Sequence, residues 1–421
     1  MGVAGTSAAG TTPVAAQPAD DTFVQALESL RLGPVHAADV PVGRIELTRA
    51  NASGLVHRYV LIVPEDYDPA RRYPVAFYLH GGVSRPDPGP GGGWWRNYDH
   101  VVGHDRIAVL PLSWNESYWW QASQVENLRG ILSEVKRTYN VDENRVYAFG
   151  SSDGGTGVYF LAFRDVTPWA AFLPFIGHPA VLMSPQTGVD GQMSVDNLTN
   201  RSFFIVNGET DPLYPVRAVM PFLDAFARYG VDFVFTAKQA GHTTSWWPEE
   251  EDNIERFLAA HPRDPHPERI RWATETTARY NRVHWVVIDE IGALAGDGDR
   301  APPASLVPIG PTGGVDVVRS GNTVTVDAYH VRSLHPADLA RRLRPAEPTP
   351  RGSQRGRRVR GDGACRRGDA QEVGRDRRGS YHALRGRDRG GAAGRTLTEA
   401  DRGPAPGCGV SFPARSAGCT S

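Results

Sequence analysis

Two adjacent serines sit between glycines in Gly150-Ser151-Ser152-Asp153-Gly154. A serine hydroxyl is nearly inert at neutral pH. To attack an acyl carbon it needs a base, a group that orients the base, and donors for the developing oxyanion. A nucleophile on a sharp strand-to-helix turn needs small residues two positions to either side, the pattern G-x-S-x-G. Ser152 has Gly150 and Gly154 there, whereas Ser151 has Phe149 and Asp153. Ser152 is therefore the expected nucleophile.

The partners should follow in the order acid, then histidine. Asp211, in NGETDPLYPV, falls just past a buried apolar run, where a carboxylate can reach an imidazole across a sheet edge. Glu209 is its nearest rival; Asp224 and Asp232 belong to a helix and a strand start. His242, in the loop AGHTTSWW, is the expected base, with His261 and His178 as rivals. Earlier, FYLHGGV ends a strand in His80-Gly81-Gly82. Its exposed N–H groups suit an oxyanion hole built from the backbone of Gly82, with Val83 next in line, and of Asp153.

These residues need a scaffold of strands whose ends meet. Alternating stretches at 44–49 and 55–64 and the stretches 75–82, 106–112, 145–150, 170–177, 202–208 and 231–239 read as strands. Helical spacing marks 123–139, with Val125, Leu128, Ile131, Leu132 and Val135 on one face, and also 154–164, 215–230 and 249–261. Alternation of this kind predicts an α/β fold with a mostly parallel central sheet covered by helices on both faces. Residues 83–100 read as a long Pro/Gly-rich surface loop and 177–200 as an irregular segment. After a proline-rich joint come strands without helices, at 270–275, 283–291, 314–320 and 323–331, then a short helix at 336–343.

The expected organisation is a flexible leader at 1–38, a catalytic domain at 39–262, a small β-rich domain at 265–343 and an Arg/Gly-rich tail at 344–421. Residues 1–350 carry 30 Lys/Arg against 40 Asp/Glu, while 351–421 carry 16 Arg, no Lys and 7 acids. The tail holds all three cysteines and reads as disorder in preference to a nucleic-acid arm. The chain has 44 Arg and 2 Lys, which suits GC-rich coding DNA, and an out-of-frame tail is a further reading. The start matches a lipidation pattern at Gly2 but reads more simply as leader. It lacks the basic and apolar regions of a secretory signal, which leans toward the cytoplasm. No run is apolar enough to span a membrane, and no histidine spacing suggests a metal.

The chain resembles the α/β-hydrolase superfamily. More narrowly, it resembles serine esterases related to polyhydroxybutyrate depolymerases and feruloyl esterases. The likeness rests on LHGG (79–82), GSSDGG (150–155), NGETDPLYPV (207–216) and AGHTTSWW (240–247), and covers about residues 55–260. It implies an α/β-hydrolase fold, Ser152, Asp211 and His242 as a triad, hydrolysis through an acyl-enzyme, and no cofactor. Secreted members often carry signals and disulfides that the body of this chain lacks, and the β-rich extension beyond 265 is not part of the basic fold.

Cleavage of carboxylic esters, small or oligomeric, is the expected function. A serine peptidase of the same fold is one alternative; a binding protein on an inactive hydrolase scaffold is another. Trp119, Trp120, Tyr214, Trp246 and His178 are the expected substrate contacts, with Tyr118 and residues 177–198 completing the pocket as a short lid. Neither nucleic acid nor a membrane is an expected partner, and the oligomeric state stays open.

Overall fold

The structure, a computed structural model, describes residues 35–98, 103, 105–293 and 312–337. Most of the expected leader, Gly2 included, lies outside these residues, as does the whole expected tail with its cysteines. Of the short helix expected at 336–343, only 336 and 337 fall inside.

Eight strands form the central sheet: β1 (Gly43–Ala50), β2 (Val56–Val63), β3 (Tyr73–Leu79), β4 (Ile107–Pro111), β5 (Val141–Ser151), β6 (Ala171–Phe175), β7 (Ser202–Gly208) and β8 (Phe233–Lys238). Their order is β1-β2-β4-β3-β5-β6-β7-β8. The pairs β1–β2 and β2–β4 are antiparallel, and the remaining neighbours are parallel. β1 is an edge strand whose burial alternates residue by residue, whereas β4 and β6 are buried throughout. That contrast is what one open edge and a doubly covered centre require.

The helices are α1 (Ala122–Thr138), α2 (Asp153–Arg164), α3 (Val195–Leu198), α4 (Val216–Tyr229) and α5 (Trp247–Ala260). α1 buries Val125, Leu128, Ile131, Leu132 and Val135, the apolar face expected from its spacing. Each large apolar side chain so buried contributes about 1.5–3 kcal/mol. α2 is buried from Gly154 to Arg164, because it packs against β3, β5 and β6 and its last side chain, Arg164, reaches Glu275 in the later β-rich region.

The chain runs from β3 outward to β4 and returns across β3 to β5. Strand order therefore reverses between β3 and β5, and loops leaving their carboxyl ends must diverge. Such a switch point opens a crevice suited to a ligand. His80-Gly81-Gly82 leaves the end of β3, and Ser152 follows the end of β5.

The β-rich region has two antiparallel three-stranded sheets. One orders as β10 (Arg282–Val283), β11 (Val286–Ile291) and β14 (Val331–Pro336); the other as β13 (Thr323–Tyr329), β12 (Gly313–Ser320) and β9 (Arg269–Thr274). Two expected strands are each broken by a histidine with positive φ. The run 283–291 turns at His284 (φ 49°), making a tight hairpin in which Val283 pairs with Val286. The run 323–331 turns at His330 (φ 51°), and the chain continues into a strand not expected from its sequence, β14. A residue in the left-handed region breaks a strand, and alternation alone cannot reveal it.

Buried Asn197 ties this region to α2. Its Nδ2 donates to the carbonyls of Phe163 (2.7 Å) and Ala273 (3.0 Å), and its Oδ1 accepts from Ala273 N–H (2.7 Å).

Candidate active site

Ser152 sits at φ 58°, ψ −121°, between β5 and α2. A non-glycine residue is strained there by about 1–3 kcal/mol, and surrounding bonds must hold it. Its N–H donates to the Phe175 carbonyl (3.0 Å), and its carbonyl accepts from Thr156 N–H (3.0 Å). Gly154 permits the close crossing of helix and strand, because a Cβ there would collide with the Leu79 carbonyl. The turn thus lifts the Ser152 hydroxyl clear of the sheet.

His242 Nε2 lies 2.8 Å from Ser152 Oγ, and its Nδ1 lies 2.8 Å from Asp211 Oδ2. A carboxylate only accepts, so Nδ1 must carry the proton and Nε2 presents its lone pair to the hydroxyl. Asp211 is 2% exposed. Its other oxygen accepts from Leu213 N–H (2.8 Å) and Tyr214 N–H (3.0 Å), which fixes the carboxylate in the turn after β7. The rivals lie elsewhere: Glu209 is exposed, and His261 Nδ1 donates to the Phe257 carbonyl (2.7 Å). Ser151 and Tyr98 both line the cavity described below, and the Tyr98 phenol donates to the Leu79 carbonyl at 3.2 Å.

Opposite the serine, His80 is buried, and its ring joins two strand ends. Nδ1 is 2.8 Å from the Gly81 carbonyl, and Nε2 accepts from Ser113 N–H at 3.0 Å. Burial pushes this imidazole down to about 4, so it stays neutral with the proton on Nδ1. Anchoring the Gly81 carbonyl fixes the Gly81–Gly82 peptide plane, and hence the direction of Gly82 N–H. Neither Gly82 N–H nor Asp153 N–H finds an acceptor among the described residues. Val83 N–H is taken, donating to Asp153 Oδ2 at 3.0 Å.

A cavity of 880 Å³ opens over these groups. Gly81, Gly82, Ser152, Asp153, Tyr214 and His242 all contribute to its wall. Tyr214 is pushed up to about 12 by burial and by the nearby carboxylates of Asp153 and Asp211, and stays neutral.

Four expected substrate contacts are absent from that wall. Trp119 is 1% exposed and donates from Nε1 to the His80 carbonyl (2.8 Å), bracing the loop from behind. Trp120 stacks on Tyr118 and donates to the Thr187 carbonyl (2.9 Å). Trp246 packs edge-on to Phe175, with ring centroids 5.2 Å apart. His178 accepts Ala180 N–H at Nδ1 (3.0 Å) and lies between Tyr214 and Phe222. These rings fill apolar spaces where an exposed indole would be costly. The expected lid, 177–198, forms short helical turns and α3 outside the cavity wall.

Trp94, Tyr98, Leu213 and Trp247 line the wall, as does Arg85. Arg85 and Tyr98 belong to the segment read only as a Pro/Gly-rich loop. Its charged and aromatic residues, placed directly after a candidate oxyanion turn, were the available signal. Among the described residues no three His, Cys, Asp or Glu side chains are grouped as a metal site requires. No described helix is long and apolar enough to cross a membrane.

The mixed sheet, its strand order and the serine elbow between β5 and α2 define an α/β-hydrolase fold with a β-rich addition. No known family profile matches the sequence, and no curated protein matches it. Among solved structures, a thermostable esterase is similar at 23% identity and TM-score 0.41, covering 52% of this chain and 63% of that one. Dipeptidyl peptidase 4 from Porphyromonas gingivalis is similar at 14% identity and TM-score 0.40, with 52% and 35% covered. A ferulic acid esterase is similar at 17% identity and TM-score 0.39, with 52% and 97% covered. The chain thus spans less than two thirds of the first two. Likenesses this distant carry no activity across.

Proposed function

We propose that the protein is a serine hydrolase that cleaves carboxylic esters through an acyl-enzyme, with Ser152, His242 and Asp211 as its triad. The carrying observation is the unbroken chain from Asp211 through His242 to Ser152, 2.8 Å at each link. Ser152 Oγ adds to the ester carbonyl while His242 Nε2 takes its proton. Asp211 holds the imidazole in the required tautomer and stabilises the imidazolium, remaining ionised itself. The oxyanion is received by the N–H groups of Gly82 and Asp153, whose lack of acceptors among the described residues supports that role. His242 then gives its proton to the departing alkoxide, leaving Ser152 acylated. Water, deprotonated by the same nitrogen, attacks the acyl carbon and releases the acid, restoring the serine.

Purified protein is expected to hydrolyse short p-nitrophenyl esters and to be labelled by a fluorophosphonate. Ser152→Ala abolishes both and Ser151→Ala neither. The reverse pattern overturns the assignment. Matched p-nitroanilides separate an esterase from a peptidase, and absence of labelling identifies an inactive scaffold.

A further inference from the structure

Resting on that reading, we propose that Arg85 makes the site select esters that carry a carboxylate. A methyl group on Gly82 would meet Arg85 Cζ at 3.6 Å, Nε at 3.7 Å and Nη2 at 3.8 Å. The guanidinium therefore lies against the peptide turn that faces Ser152 and lines the same cavity. It makes no ion pair or side-chain hydrogen bond among the described residues, unlike Arg58, which is paired with Asp87 nearby. The backbone below it is held: the Arg85 carbonyl accepts Asn115 N–H at 2.9 Å, and Pro86 restricts residue 85 to extended conformations.

The rest of the wall sharpens the selection. Among the described residues of the wall, Arg85 is the only Lys or Arg and Asp153 the only Asp or Glu, and Asp153 Oδ2 already accepts Val83 N–H. Much of what remains is aromatic or aliphatic: Trp94, Phe149, Phe175, Leu213 and Trp247. A carboxylate entering such a cavity loses hydration, and a cation offsets that loss better than the neutral hydroxyls of Ser151, Thr243 and Thr244 can. A planar guanidinium offers it two parallel N–H donors, a geometry that an ammonium cannot reproduce. Arg85 touches the substrate's anion and not the reacting atoms, so its influence falls on discrimination between substrates.

The test compares matched esters on wild type, Arg85→Gln and Arg85→Lys. Monoethyl succinate against ethyl 4-methylpentanoate places the anion on the acyl side. 4-Acetoxybenzoate against 4-acetoxybenzamide places it on the leaving group. For one of these pairs, Arg85→Gln is expected to lower the anionic-to-neutral ratio of kcat/KM about tenfold, mostly through KM, as loss of a charged hydrogen bond would. Arg85→Lys should recover part of it, and the wild-type preference should weaken as salt rises. Ratios unchanged within about twofold for both pairs overturn the proposal, even with neutral esters still cleaved, which would leave the esterase reading intact. Equal losses on anionic and neutral esters also overturn it, because they would assign Arg85 to the oxyanion. Failure of the wild type on every ester defeats the esterase reading and this proposal with it.

Discussion

Gly81 lies so close to Ser152 that a methyl group on its Cα would stand 2.8 Å from the serine Cβ and 3.3 Å from Oγ. The carboxyl end of β3 and the serine turn are thus in contact, with no room for a side chain between them. Gly81→Ala must displace the hydroxyl or the loop. A shift near 1 Å at the reacting atoms costs about 10²-fold, and kcat on a p-nitrophenyl ester should fall by that factor. Near-wild-type kcat would show that the loop moves freely.

Asp211 offers a different failure. In Asp211→Asn the turn's N–H donors from Leu213 and Tyr214 still find an oxygen, so the fold should persist. The amide would favour the wrong imidazole tautomer, and kcat should fall about 10⁴-fold with KM little changed. Steady-state kinetics beside a thermal melt would separate this from unfolding.

Buried histidines contribute to the response to acid, and burial also pushes His284 and His178 down. His57 and His80 are both pushed down to about 4, chiefly by burial, from an ordinary value of 6.5. The unfolded chain therefore binds protons that the folded state refuses. Their stabilising contribution is fully present above about pH 6.5 and is lost as pH falls toward 4. By that linkage each histidine can remove about 3 kcal/mol at pH 4. Neither nitrogen of His57 has a hydrogen-bond partner among the described residues, and its ring meets Trp114 edge-on at 5.2 Å. His57→Phe should consequently flatten the acid limb while keeping the packing. Urea unfolding at pH 7 and pH 4.5 would measure it; an equal loss in wild type and variant counts against this account.

Arg164 is 1% exposed, and its Nη1 lies 2.9 Å from Glu275 Oε2 and 2.6 Å from the Gln192 carbonyl. It also lies over the Tyr280 ring, 4.4 Å from the centroid. Removing only the acid's charge leaves a buried cation with neutral partners alone, the Gln192 carbonyl and the Tyr280 ring. Glu275→Gln should destabilise by about 3 kcal/mol, and a paired Arg164→Met, Glu275→Gln variant by less. Denaturant midpoints would decide; a double variant weaker than the single one contradicts it.

The parts legible in the sequence were those governed by local pattern. β4 and β6 declared themselves as continuous apolar runs, and α1 by its periodic apolar face. Ser152, Asp211 and His242 could be picked out because each directly follows a strand, and parallel strands deliver such residues to one edge. Pocket lining was less legible, since it depends on which way neighbouring rings turn. Trp246 and Trp247 are adjacent, yet only Trp247 reaches the cavity. Trp119 points back onto the His80 carbonyl, a partner 39 residues away. The breaks at His284 and His330 were hidden because they depend on backbone torsion at residues whose type gives little warning. At His284 a distant anchor holds the turn: its N–H donates to Thr167 Oγ1 at 3.0 Å.

The backbone at Ser152, at φ 58°, is one that glycine would occupy at ease. Chemistry and robustness consequently pull in opposite directions at this one position. Ser152→Gly should give an inert protein that melts above its Ser152→Ala counterpart, since alanine inherits the torsional burden and glycine sheds it. The tension is local and small beside the whole domain, yet it means that the hydroxyl is maintained against the preference of the chain that carries it.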